Sequence, residues 1–151
     1  MLNNELDMSF NYEPVTYGDI KDGFGRVCAD GSKTHQLLCE ARPGEKDLGP
    51  AHYRLYGTEA FFQNKILYEN DVVYTIRAKS NDFWCIIDKK GMSPTEIIHS
   101  QTFPEDYDFL NFNLSNVTYI CGMSVPPVMI KRIVERMIES GVFDYKKAVK
   151  P

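Results

Sequence analysis

The tightest constraint on this chain is a pair of consecutive prolines, Pro126-Pro127, set between an apolar run and an amphipathic stretch near the C-terminus. Proline lacks an N–H and disfavours helix in the residue before it, so a tandem pair rules out helix on its N-terminal side and suits a helix's first turn. A helix is therefore expected over 127–140. From Ile130 the apolar positions Ile133, Val134, Met137 and Ile138 fall at helical spacing, with Lys131, Arg132, Glu135, Arg136 and Glu139 on the other face and Gly141 placed to end it. Before the prolines, Val117 to Cys121 reads as a strand and Gly122 to Val125 as a tight turn. Strand, turn and helix N-terminus together would offer free backbone N–H groups to a ligand, although such turns also occur as plain helix starts.

A second helix announces itself at Ser93-Pro94-Thr95-Glu96, with Ser93 as N-cap, Pro94 in the first position and Glu96 closing a capping box. Ile97 and Ile98 would face the core, and Phe103-Pro104 stops the helix near residue 101. Upstream, 71–78 alternates and is rich in β-formers, Lys79-Ser80-Asn81-Asp82 makes a turn, and 83–88 follows, which predicts a hairpin of two strands. Val27-Cys28-Ala29 is a further short strand candidate, and residues 105–116 read as a polar connection. Residues 32–70 look least regular, with Pro43-Gly44 and Gly49-Pro50 as breakers and aromatics interleaved with Lys33, Arg42, Lys46, Arg54 and Lys65. Long irregular segments in a compact domain are usually functional.

These elements predict an α+β fold: a lead-in over 1–17, a small domain over 18–116, and a C-terminal segment over 117–151. At 151 residues, with 43% apolar and 13% aromatic content, the chain can bury one core. The net charge of −4 argues against a nucleic-acid binder at face value. However, Glu5, Asp7, Glu13 and Asp19 stand in the first 20 residues without a Lys or Arg, so the remainder sums to zero and can still present a basic face. Four cysteines without C-x-x-C spacing read as reduced, buried thiols, and neither a signal peptide nor a membrane-spanning stretch is expected, so the protein should be cytoplasmic. His35 and His52 have no partner at metal-ligand spacing, His99 has no visible catalytic partner, and Gly23-x-Gly25 lacks the third glycine and the helix of a dinucleotide site. No metal site is expected.

Gly122-Met123-Ser124-Val125-Pro126-Pro127 resembles the tenth motif of the DNA (cytosine-5)-methyltransferases, usually Gly-Asn-Ser-Val-Pro. Met92-Ser93-Pro94-Thr95-Glu96, with Thr102-Phe103-Pro104-Glu105-Asp106-Tyr107, is similar to the ninth motif. Together with Gly25-Arg26 to Asp30 and Thr75-Ile76-Arg77-Ala78, the likeness spans about residues 23–140 and is nearest to phage-type members. It implies a small target-recognition domain followed by a helix that docks on a catalytic domain and finishes an S-adenosylmethionine pocket. Ser124 and Val125, with Met123 where the family usually has Asn, would contact that cofactor. Arg26, Lys33, Arg54, Arg77 and Lys79 would meet duplex DNA, Arg reading guanine and Lys holding phosphate.

The resemblance also implies what this chain lacks. Cytosine methylation needs a thiolate nucleophile, an assisting acid and a cofactor fold. In that family these are a Pro-Cys, a Glu-Asn-Val and a glycine-rich turn, whereas the cysteines here follow Val27, Leu38, Trp84 and Ile120. No catalytic residue is assigned, and the chain alone is expected to be inactive until a catalytic half joins it. The rival expectations are a non-catalytic DNA-binding or interaction module and a stand-alone small-molecule domain using the Gly122 to Val125 turn. The apolar face of the last helix must be covered by the catalytic half, pack on the small domain, or pair with a second copy, so a homodimer or a displaced helix is expected.

Overall fold

The computed structural model describes residue 9 and residues 11–79, 82–110 and 112–141. Its elements, in chain order, are α1 (Tyr17–Ile20), α2 (Lys33–Glu40), α3 (Gly49–Tyr56), β1 (Lys65–Leu67), β2 (Phe83–Cys85), β3 (Lys90–Gly91), α4 (Pro94–Ser100), α5 (Leu114–Met123) and α6 (Pro127–Glu139). The fold is α+β. β2 is the middle strand of a three-stranded sheet, parallel to β1 and antiparallel to β3.

Strand alternation explains the layering. In register, Ile66 pairs with Trp84 and Leu67 with Cys85. Ile66 and Trp84 join Cys28, Leu37, Leu38, Leu48 and Ala51 in one apolar cluster, under α2 and α3. Leu67, Phe83 and Cys85 turn to the other side, where Ile97 of α4 and Val117 and Cys121 of α5 lie with Tyr17 and Ile76. A sheet covered on both faces needs no polar face, so Phe83-Trp84-Cys85 is apolar throughout and buried throughout. Each large side chain so removed from water contributes about 1.5–3 kcal/mol.

Two helices form where the sequence predicts them. α4 carries the complete capping box: Ser93 Oγ accepts from the Glu96 N–H at 3.0 Å, and the Glu96 carboxylate accepts from the Ser93 N–H at 2.9 Å. α6 begins at Pro127 and is followed by Gly141 at φ 74°, a left-handed turn that suits glycine.

Other expectations are corrected. Val117 to Cys121 is not a strand but the body of α5, whose N-cap Asn113 accepts from the Asn116 N–H at 2.9 Å. Leu114, Val117 and Cys121 pack on one cluster at helical spacing, a period that a five-residue window hides. The hairpin is formed by β2 and β3, whereas 71–78 contains no named strand and lies in the connection between the parallel β1 and β2. Residues 80 and 81 of its expected turn lie outside the described residues, as do 142–151. Residues 32–70 hold α2, α3 and β1 rather than an irregular region: Ser32 caps α2, and Gly49-Pro50 opens α3 instead of breaking the chain. Val27 makes only an isolated bridge to Lys90. The connection after residue 105 is shorter than expected, since α5 begins at Leu114. Tyr17, at the end of the expected lead-in, is 1% exposed and belongs to the core.

Leu114–Glu139 is apolar enough in composition to resemble a membrane-crossing segment, contrary to the expectation of none. The chain is interrupted at Ser124–Pro126, however, leaving helices of 10 and 13 residues. Each is well short of the ~20 residues a spanning helix needs.

Candidate functional site

The break between α5 and α6 is an open edge. Gly122 lies inside α5, not in a ligand-binding turn: a Cβ there would collide with the backbone of Arg77 and Ala78, so its missing side chain serves close packing. Ser124 closes α5, its N–H donating to the Cys121 carbonyl at 3.3 Å and its hydroxyl to the same oxygen at 3.0 Å. Met123 and Val125 flank it at 67% and 52% exposure, so the side chains at this edge face solvent. At the start of α6 the Val128 N–H donates to Thr102 Oγ1 at 3.2 Å, which ties the helix to the residues after α4.

The edge continues into α6, in which no residue is buried. Ile130, Val134 and Ile138, at i, i+4 and i+8, form an exposed apolar stripe, with Met129 beside it. The opposite flank is held by the segment before α1. Arg132 stacks on the Tyr12 ring at 3.9 Å, and Arg136 donates to the Ser9 carbonyl at 3.1 Å. The open edge and the uncovered stripe enclose no site by themselves.

The five basic candidates fall on or beside the α2–α3 layer to different degrees. Arg26 is exposed, with its guanidinium 4.9 Å from the centroid of Trp84. Lys33, also exposed, sits 4.8 Å from the Tyr56 ring and 5.1 Å from that of Phe61. Arg77 donates to Gln63 Oε1 at 3.0 Å, so Lys33 and Arg77 meet the same loop between α3 and β1. Lys79 is exposed two residues further on. Arg54 differs, for its donors go to Glu40 Oε1 at 2.9 Å, the Glu40 carbonyl at 2.8 Å and Glu45 Oε2 at 3.1 Å. The hydrogen bond from Arg54 holds the Glu45 carboxyl below the usual range, and Arg54 is raised in return. It clamps α3 to the end of α2.

Three of the four thiols are shielded from any substrate. Cys28, Cys85 and Cys121 are buried, and burial pushes Cys85 up and Cys121 to about 11. Cys39 corrects the expectation of buried thiols: it is exposed, 3.9 Å from Nδ1 of His35. Among the described residues no three His, Cys, Asp or Glu side chains are grouped to hold a metal ion.

Two further features escape a reading of the sequence. One is a buried polar knot at the start of α4. Ser93 Oγ donates to Asp22 Oδ2 at 2.6 Å, and the Asp22 N–H donates to Glu96 Oε1 at 3.0 Å, joining the loop after α1 to the capping box. Desolvation raises Glu96 above the usual carboxylate range, against the pull of those N–H donors. The other is a groove of about 450 Å³ beside α3, lined by Asp47, Gly49, Pro50, Tyr53, Glu59 and Phe62. The knot leaves no local signature beyond the capping box, because Asp22 is far in sequence from Ser93 and Glu96.

A family model for C-5 cytosine-specific DNA methylases matches residues 53–139, more than half of the chain. The match runs from α3 through the sheet, α4, α5 and α6. It includes Arg54, Arg77, Lys79 and Met123 to Val125, but neither Arg26 nor Lys33. No curated protein and no solved structure matches significantly.

Proposed function

The chain belongs to the C-5 cytosine-specific DNA methylase family, and from that premise we propose that it is the DNA-facing and C-terminal portion of a DNA (cytosine-5)-methyltransferase. Its catalytic half, with the Pro-Cys nucleophile, comes from polypeptide not in this sequence. The observation that carries this reading is the α5–α6 edge: an amphipathic helix with no buried residue, attached to exposed Met123 and Val125, is one wall awaiting another.

In this reading Ile130, Val134 and Ile138 dock on the catalytic half, and Met123, Ser124 and Val125 line one side of an S-adenosylmethionine pocket. The residues present fit that limited role, since the edge is open and apolar but encloses nothing. The cofactor supplies the methyl group; this chain positions and shields it. Arg26, Lys33, Arg77 and Lys79 lie against phosphates and base edges of a duplex from which the target cytosine is flipped. Arg54 braces the α2–α3 layer that carries them. The docking face is also the surface on which a second copy competes in the absence of the catalytic half. The localisation that follows is cytoplasmic, and the likeness to phage-type enzymes belongs to the same reading.

The test is complementation. The chain is mixed with a family catalytic half bearing Pro-Cys, and transfer of labelled methyl groups to duplex DNA is measured. The expected result is activity in the mixture alone, lost in V134D. No activity above that of the separate halves contradicts the proposal.

A second reading, a non-catalytic DNA-binding module, is favoured by one observation: Met123, exposed and apolar, stands where the family has a polar Asn. Salt-dependent duplex binding by the chain alone, with no complementation by any catalytic half, distinguishes it.

A further inference from the structure

Two turns at the sheet's β3 edge present apolar side chains to solvent on an unusually well-tied backbone. Phe24 is 86% exposed, Ile87 70% and Val27 65%, the first on the turn after α1, the second between β2 and β3. The turns are laced together. The Gly91 N–H donates to the Arg26 carbonyl at 2.8 Å, the Cys28 N–H to the Lys89 carbonyl at 3.0 Å, and Lys90 Nζ to the Gly23 carbonyl at 2.7 Å. The Phe24 N–H donates to Asp22 Oδ1 at 2.8 Å, and Gly25 packs so closely on the Gly91 carbonyl that a Cβ would collide with it. Phe24 therefore stands on a backbone fixed on both sides. Its exposure is not that of a slack loop, and little conformational entropy remains to be lost when it binds.

The charge around it selects the occupant. Arg26 lies exposed two residues away, 4.9 Å from the Trp84 ring centroid, with Lys89 on the neighbouring turn and Lys90 at the start of β3. Two of the nearby acids are engaged inside the protein: Asp22 accepts from Ser93 and Phe24, and Asp88 pairs with Lys21 at 3.1 Å; Asp30, 3.4 Å from His35, is the exposed exception. A fixed aromatic beside an excess of cations, Arg26, Lys89 and Lys90 against the single exposed Asp30, matches a nucleic acid, where an apolar wedge enters a base step and an Arg holds the adjacent backbone. We propose that Phe24 is a stacking wedge that enters a base step of duplex DNA, with Arg26 on the neighbouring phosphate. This rests on the reading of the chain as the DNA-facing part of a methyltransferase. It adds an element that lies outside the family match and among none of the basic candidates.

The experiment uses the full 151-residue chain, alone and with the catalytic half, on duplexes carrying 2-aminopurine at successive positions. Wild type should bind and raise 2-aminopurine fluorescence at one step. F24A should lose about ten-fold in affinity and the fluorescence rise, with an unchanged salt slope because no charge is removed. F24W should retain both, and R26Q should lower the salt slope by about one. An exposed side chain leaves the fold intact, which circular dichroism checks. If F24A binds and unstacks like wild type, the wedge is wrong although the DNA-facing role stands. If F24A spares DNA but weakens assembly with the catalytic half, the ridge is a protein contact and the proposal is overturned. If wild type binds no duplex in either form, the underlying reading fails and the wedge with it.

Discussion

α4 and α6 start alike and end differently. Both open with proline in the first turn, both place apolar residues at helical spacing, and both are legible in the sequence. Yet α4 buries Glu96, Ile97 and Ile98, whereas α6 buries nothing. Helical periodicity states that a face needs covering; it does not state by what. For α4 the cover is α5 and the sheet; on α6 Ser9 and Tyr12 hold the opposite flank and Thr102 the first turn, while the stripe of Ile130, Val134 and Ile138 stays exposed. Two helices of equal local quality thus differ in burial: one lies in this chain's core, and the other carries the face that we propose meets a catalytic half.

The contrast can be broken by substitution. The largest effect is expected for Ile97→Ala, which empties a fully buried site in α4 and should cost about 2–5 kcal/mol in denaturant unfolding. A cost comparable to a surface change would deny α4 its place in the core. Next, Gly122→Ala drives a methyl group into the backbone of Arg77 and Ala78, and should cost about 1–3 kcal/mol by the same assay. A neutral result would mean that α5 does not pack there. Ser93→Ala removes the N-cap and the hydrogen bond to Asp22, for an expected loss of about 0.5–2 kcal/mol.

The knot at α4 also carries a pH signature, which sharpens the comparison because nothing on α6 is buried. Burial raises the folded-state pKa of Glu96 above its unfolded value. Between the two values the folded protein binds more protons than the unfolded chain, so this group's contribution is complete below the ordinary glutamate range and is lost as pH rises through the raised value. Chemical denaturation across that window should show the decline in wild type and not in Glu96→Gln. The smallest effect belongs to α6: Val134→Ala, on the open stripe, should change the stability of the free chain by no more than about 0.5 kcal/mol.

Legibility follows the range of the interactions. Capping and proline chemistry are local, so the sequence places α4 and α6 to within a residue. α5 reads as a strand because Val117 to Cys121 is a short apolar run that suits either element, and its decisive neighbours, the backbone of Arg77 and Ala78, lie far away in sequence. Three-residue strands show no usable period, and the parallel pairing of β1 with β2 joins residues separated by a long connection. The same division holds at the site. Basic residues can be named as types, but that Arg54 is spent on Glu40 and Glu45 depends on α2 packing against α3. The sequence reads Gly122 to Val125 as one tight turn, whereas Gly122 and Met123 end α5 and Gly122 serves packing.

The most direct test of an interface at α6 is amide hydrogen exchange along the whole chain, with and without a family catalytic half. Exchange should be slow in α4 in both samples, and fast at Ile130 to Ile138 until the catalytic half is added. Protection of α6 equal to that of α4 in the free chain, or no change on addition, would contradict it.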